Sequence, residues 1–220
     1  MDYGSMLGSS FEYAKEAVWG KWMKWIFLVI STIIFPLIVG YIMEIYRGKS
    51  PAPDFEDWLK LFIDGIKLLI VQIIYSIPLI IVMMIFFGGS FALLAGGGSD
   101  AAIAAAAGTM ILGTLILIVL AFIIGLIAAF GVIRFARTDS FGEAFNISAI
   151  LAHIGAVGWG SYIIALIVLW VVAVVFGVVI TILMAIPVIG WIIIFFIEPV
   201  VAIFVARYMT QIYESAAAPA

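Results

Sequence analysis

The chain has 220 residues, of which 67% are hydrophobic and 10% charged, and its formal net charge is −3. A soluble domain carries about 25% charged residues, so this deficit, with a mean hydropathy of +1.35, excludes an ordinary water-soluble fold, and the small negative charge leaves no basic footprint for nucleic acid. There is no cysteine and only one histidine, His153, which excludes disulfides, thiolate metal sites and multi-histidine sites.

The opening MDYGSMLGSS carries an acid and lacks a basic n-region, so the first apolar run is expected to stay in the mature protein. Five apolar stretches follow, at 25–43, 68–87, 109–133, 161–186 and 191–208. Runs of about 18 or more apolar residues read as transmembrane segments. They should be helical, because only helices and closed barrels satisfy the backbone in lipid, and the alternation of barrel strands is missing. The expectation is an all-α polytopic bundle forming a single membrane domain, 1–220, without a cofactor.

Three amphipathic segments, 10–22, 54–66 and 140–152, lead into apolar ones. In the clearest, Phe55, Trp58, Leu59, Phe62, Ile63 and Ile66 share one helical face, and Glu56, Asp57, Lys60, Asp64 and Lys67 the other. Asp54 is placed to cap it. Such helices are expected to lie in the interface plane. Ser9 before Glu12 and Ser140 before Glu143 have capping-box spacing, and the endings YIMEIY (41–46) and YMTQIY (208–213) are alike, which together point to a degenerate repeat. Trp22, Trp25, Tyr41, Tyr46, Trp58, Trp191, Tyr208 and Tyr213 are the expected interfacial anchors. The Gly/Ala-rich stretch 88–108 has no Lys or Arg and reads as an outer loop, which puts the C-terminus in the cytoplasm. If 25–43 is a plain span, the N-terminal lysines lie outside. If it re-enters, broken at Pro36, every basic residue is inside.

The stretch GYIMEIYRGKSPAPDFEDWLKLFIDGIK, residues 40–67, resembles the signature of an uncharacterised, mainly archaeal membrane-protein family, domain of unknown function 4013. Gly40-Tyr41, Arg47, Pro53, Asp57-Trp58 and Ile63-Asp64-Gly65 carry the resemblance, and RFARTDSFGEAFN and RYMTQIY are also similar to it. It implies an archaeal plasma-membrane protein and no particular activity. Glu44 departs from the pattern, where a basic or neutral residue is expected.

Enzyme signatures are missing: there is no Gly-x-Ser-x-Gly elbow and no phosphate loop. His153 reads as a headgroup-level polar residue. Glu198, inside the last apolar stretch and followed by Pro199, is the strongest candidate site. A carboxylate at the membrane centre costs about 2.5–3.5 kcal/mol on insertion scales, and Pro199 leaves the Phe195 carbonyl without its helical donor. Two roles stay open: an intramembrane polar site with Gln72 and Tyr75 as its company, or a kink whose acid is satisfied locally or by Arg134 or Arg207. Small residues recur every four positions at Ala121, Gly125 and Ala129 and at Ala173, Gly177, Thr181 and Ala185. Such faces let helices approach closely, within one chain or between copies. The expectation is a non-enzymatic protein for permeation or transport of a small solute, ion or lipid. Its expected partners are membrane lipids and further copies of itself. The alternative is a structural or accessory protein that organises the bilayer or scaffolds partners.

Overall fold

The computed structural model describes residues 1–97 and 99–216, and the regular elements among them are all helical. Four helices are long and apolar enough to cross a bilayer, which makes this a multi-pass membrane protein. The expected single domain divides into two compact units, Met1–Leu69 with Phe130–Ala220, and Ile70–Ala129.

In the first unit, α1 (Tyr3–Val18) starts well before residue 10 because Asp2 accepts the Ser5 N–H at 3.0 Å. Ser9 therefore lies inside the helix and the Ser9/Glu12 capping box does not form. Instead its hydroxyl meets Met6 O and Gln211 Oε1. Nor is α1 a free interfacial helix: Ser10, Tyr13, Ala14, Ala17 and Val18 are buried. It runs antiparallel to the last helix, α10 (Ile189–Glu214). Ser215 meets Met1, Gln211 meets Ser10, and Arg207 covers the Tyr13 ring.

The first apolar stretch forms two helices, α2 (Trp22–Ile33) and α3 (Phe35–Tyr46), whose directions differ by 119°. The break falls at Ile34, and Pro36 occupies the first turn of α3, where its missing N–H leaves no intrahelical bond unmade. Each arm of 12 residues is about 18 Å long. At that angle the outer ends lie only about 18 Å apart, short of the ~30 Å hydrocarbon core. Met1 lies beside Ser215. By length and composition the bent pair is a broken span or a re-entrant loop.

The segment 54–66 is the opening of a long helix, α4 (Trp58–Met83), since nothing between residues 66 and 68 stops it. Asp57, not Asp54, accepts the Lys60 N–H (2.9 Å); Asp54 pairs with Lys24 instead (2.7 Å). After α6 (Asp100–Thr138), the segment 140–152 breaks into α7 (Phe141–Ala144) and α8 (Ile147–Val157), because the Asn146 side chain caps a new start on Ala149 N. Helix α9 (Trp159–Met184) then leads to α10, which packs against α1, α2, α3, α8 and α9 and contributes Ile203, Phe204, Ala206, Tyr208 and Ile212 to the core.

The second unit holds the later part of α4, a π-turn (Met84–Gly88), α5 (Gly89–Ala95) and most of α6, as far as Ala129. The stretch 88–108, expected as a loop, is mostly helical. Its alanines favour helix, and Ser90 Oγ ties α5 to α6 through Ala106 O (3.3 Å). Gly98, within that stretch, lies outside the described residues.

Candidate functional site

The two acids inside apolar helices meet opposite fates. Glu198 is exposed on α10 beside a buried Pro199, and no hydrogen bond or ion pair joins it to another described residue. Neither expected cation reaches it: Arg134 pairs with Glu143, and Arg207 lies over Tyr13 at 5.0 Å. Near the proline, Trp25 Nε1–H donates to the Phe196 carbonyl at 2.8 Å; the carbonyl that Pro199 leaves without its helical donor is the neighbouring one, of Phe195. Gln72 and Tyr75 belong to the second unit, the first exposed and the second half-buried. Hydroxyls in the apolar helices turn back on their own backbone, as Ser31 does to Phe27, Thr32 to Val29 and Thr181 to Gly177.

The signature residues 40–67 build a joint between α3 and α4. A Cβ on Gly40 would fall on the Leu61 carbonyl, and one on Gly65 on the Pro36 carbonyl, so the two helices cross backbone to backbone there. Tyr41 stacks on Phe55 at 5.2 Å, and Trp58 packs on Phe55 and Phe27. Below this aromatic wedge lies a charged hub. Glu44 is 2% exposed yet receives Arg47 and Lys60 on Oε1 at 2.5 Å each and Lys49 on Oε2 at 2.6 Å. Arg47 also holds Asp64, 3% exposed, at 2.7 Å. Burial works against the Arg47 charge, but Asp64 and Glu44 more than offset it and raise its pKa above the ordinary value.

The hub continues outward more loosely. Asp139 lies 3.4 Å from Arg47 and 3.9 Å from Lys67, and Lys67 is 3.4 Å from Asp64. These groups, with Asp57, Lys60, Leu59 and Ile63, line an open cleft of about 330 Å³. Arg137 reinforces the rim by donating to the Tyr46 carbonyl and pairing with Glu214.

Other expected residues are scattered. Tyr41 and Tyr208 are fully buried, not anchors at a membrane surface: Tyr41 belongs to the wedge, and Tyr208 donates to Ala165 O. Trp22 and Trp191 are exposed, whereas Trp25, Trp58, Tyr46 and Tyr213 are half-buried. His153 stacks on Tyr213 and bonds its carbonyl at 2.8 Å, a packing role. The small-residue faces are not consumed inside the chain. Ala173, Gly177, Thr181, Ala185, Ala121 and Gly125 are exposed and Ala129 is half-buried, and a Cβ on Gly177 or Gly125 would meet open space.

The sequence reading missed the hub. The Glu44–Arg47 spacing, one helical turn, was its local signal. Asp139, 92 residues from Arg47, had none.

The pattern of a family described as Protein of unknown function (DUF4013) matches residues 25–185, which take in the whole joint and Asp139. No curated protein and no solved structure matches the chain.

Proposed function

We propose a reading that starts from one premise: the chain belongs to the DUF4013 family. It is a non-enzymatic multi-pass protein that works as a homo-oligomer and lets a small solute, ion or lipid pass along the boundary between copies. The observation that carries this is Glu198, an acid exposed on an apolar span with no partner among the described residues. In lipid such a group faces a polar counterpart or a water-filled path. A neighbouring copy supplies either one, and the open face at Gly177 on α9 permits its close approach. In this reading the α2–α3 pair, bent by 119°, re-enters and so gathers every Lys and Arg on the cytoplasmic side of the plasma membrane, with the C-terminus.

Native mass spectrometry in lipid nanodiscs and flux in proteoliposomes test this reading. The wild type should assemble and conduct; Glu198→Leu and Gly177→Leu should shift it towards monomer, and Glu198→Gln should lower flux. A monomeric wild type, or flux indifferent to Glu198, overturns it.

A second reading, an accessory protein that holds a partner, is favoured by one feature. A groove of about 400 Å³ between α1, α2, α9 and α10 is walled by Phe11, Val18, Trp19, Trp25 and Phe176. It is almost wholly apolar and wide enough for a side chain or lipid tail from a neighbour.

A further inference from the structure

The charges around Arg47 fall into two sets. Those on Glu44 are close, with contacts of 2.5–2.6 Å to a buried carboxylate, and they hold α3 to α4. Around the cleft Arg47 holds Asp64 at 2.7 Å, but the outer contacts are loose: Lys67 reaches Asp64 only at 3.4 Å and Asp139 only at 3.9 Å, and the Asp139 carboxylate is 59% exposed. Lys67 and Asp139 therefore form a long, solvent-exposed ion pair at the cleft, which a ligand carrying both charges can enter.

The position of Asp139 is itself unusual. It follows α6 with φ of 53° and its N–H caps the helix on Phe135 O, a place that glycine or asparagine normally takes. A carboxylate there opposes the helix dipole, which favours cations at that end. Capping alone therefore does not account for an aspartate. Its ion pairs with Arg47 and Lys67, at the mouth of the cleft, do.

We propose that this cleft binds the headgroup of an amine-bearing phospholipid. The phosphate lies against Lys67 and the outer edge of Arg47, and the primary ammonium lies against Asp139 and Asp57. Three properties select this ligand. First, Arg47, Lys60 and Lys67 balance Asp57, Asp64 and Asp139 among the lining residues, which suits a zwitterion better than a net anion. Second, no aromatic ring lines the cleft, so a quaternary ammonium lacks the cage it prefers, while a primary ammonium can donate hydrogen bonds to carboxylates. Third, Leu59 and Ile63 form the apolar part of the wall and are exposed, one helical turn apart on α4. They give acyl chains a path along the helix that a soluble zwitterion would not use. The volume, about 330 Å³, sits at the lower end of the ~300–1,000 Å³ of small-molecule sites, enough for a headgroup whose tails stay outside. The site is independent of Glu198 and of assembly.

Native mass spectrometry of the full chain, released from nanodiscs of defined lipid, tests the proposal. Phosphatidylethanolamine should be retained in preference to phosphatidylglycerol and phosphatidylcholine. Asp139→Asn should weaken its retention roughly tenfold, the loss of one charge-assisted hydrogen bond, and Asp139→Glu should restore most of it. Lys67→Met should weaken phosphatidylethanolamine by a similar factor. Phosphatidylglycerol held equally well, or a folded Asp139→Asn chain that keeps its phosphatidylethanolamine, overturns the assignment. So does displacement of the lipid by soluble O-phosphoethanolamine at matched concentration, which would assign the site to a soluble zwitterion. Should Asp139→Asn fail to fold, the wild-type ranking of the three lipids decides.

Discussion

Glu44 and Glu198 are two glutamates set in apolar helices of one chain, and they invert the usual meaning of exposure. Glu44 is sealed from solvent and surrounded by Arg47, Lys49 and Lys60; Glu198 is open and has none among the described residues. In water the second is the inexpensive arrangement. In a bilayer the open face is hydrocarbon, so the sealed acid is the comfortable one and the open acid needs something the chain does not provide. A buried charge thus marks a finished contact here, and an exposed one an unfinished contact.

Substitutions should separate the two. The largest loss is expected for Arg47→Met, which strips Asp64 of its close partner and Glu44 of one of three. Breaking such a buried pair costs about 3–5 kcal/mol, read as a lower unfolding midpoint in detergent. Next comes Gly40→Ala, whose methyl meets the Leu61 carbonyl and should cost about 1–3 kcal/mol of overpacking; a cross-link between α3 and α4 should form less readily in that variant. Trp25→Phe removes the bond to the Phe196 carbonyl and should cost about 1 kcal/mol in the same assay. Glu198→Gln should leave the monomer's midpoint within about 0.5 kcal/mol of wild type. A loss as large as that of Arg47→Met would show that Glu198 is already partnered, and the contrast would collapse.

The smallest effect is one of pH. The hydrogen bond from Lys24 holds the Asp54 carboxyl below its ordinary range, and the bonds from Asn146 and Arg134 do the same for Glu143. Lowered folded-state values mean that their stabilisation is complete above pH ~4 and fades as pH falls through the folded values. Melting curves between pH 7 and pH 3 should flatten slightly in Asp54→Asn with Glu143→Gln.

Hydropathy made the helices and the membrane legible, because an uncharged run of that length has few other homes. It did not make their ends legible. Asp57 displaced Asp54 as a cap once Lys24 claimed the latter, and Asn146 split a segment whose periodicity is continuous. Alanine propensity overrode the glycines of 88–108. The tyrosines were misread for a related reason: aromatic residues at apolar ends serve a membrane surface or a core equally well, and only packing against Phe55 or the Ala165 carbonyl decides. Glu198 stood out because charge is rare in its run. The hub did not, because its acids and cations look like a solvated helix face until α3 and α6 are brought alongside.

The approach of Met1 to Ser215 has a practical meaning for anyone labelling the protein. Reporters fused at the two positions will sample the same aqueous compartment. A split fluorophore carried one half on each would light up without any partner molecule, and a single protease applied from one side of a vesicle would remove both or neither.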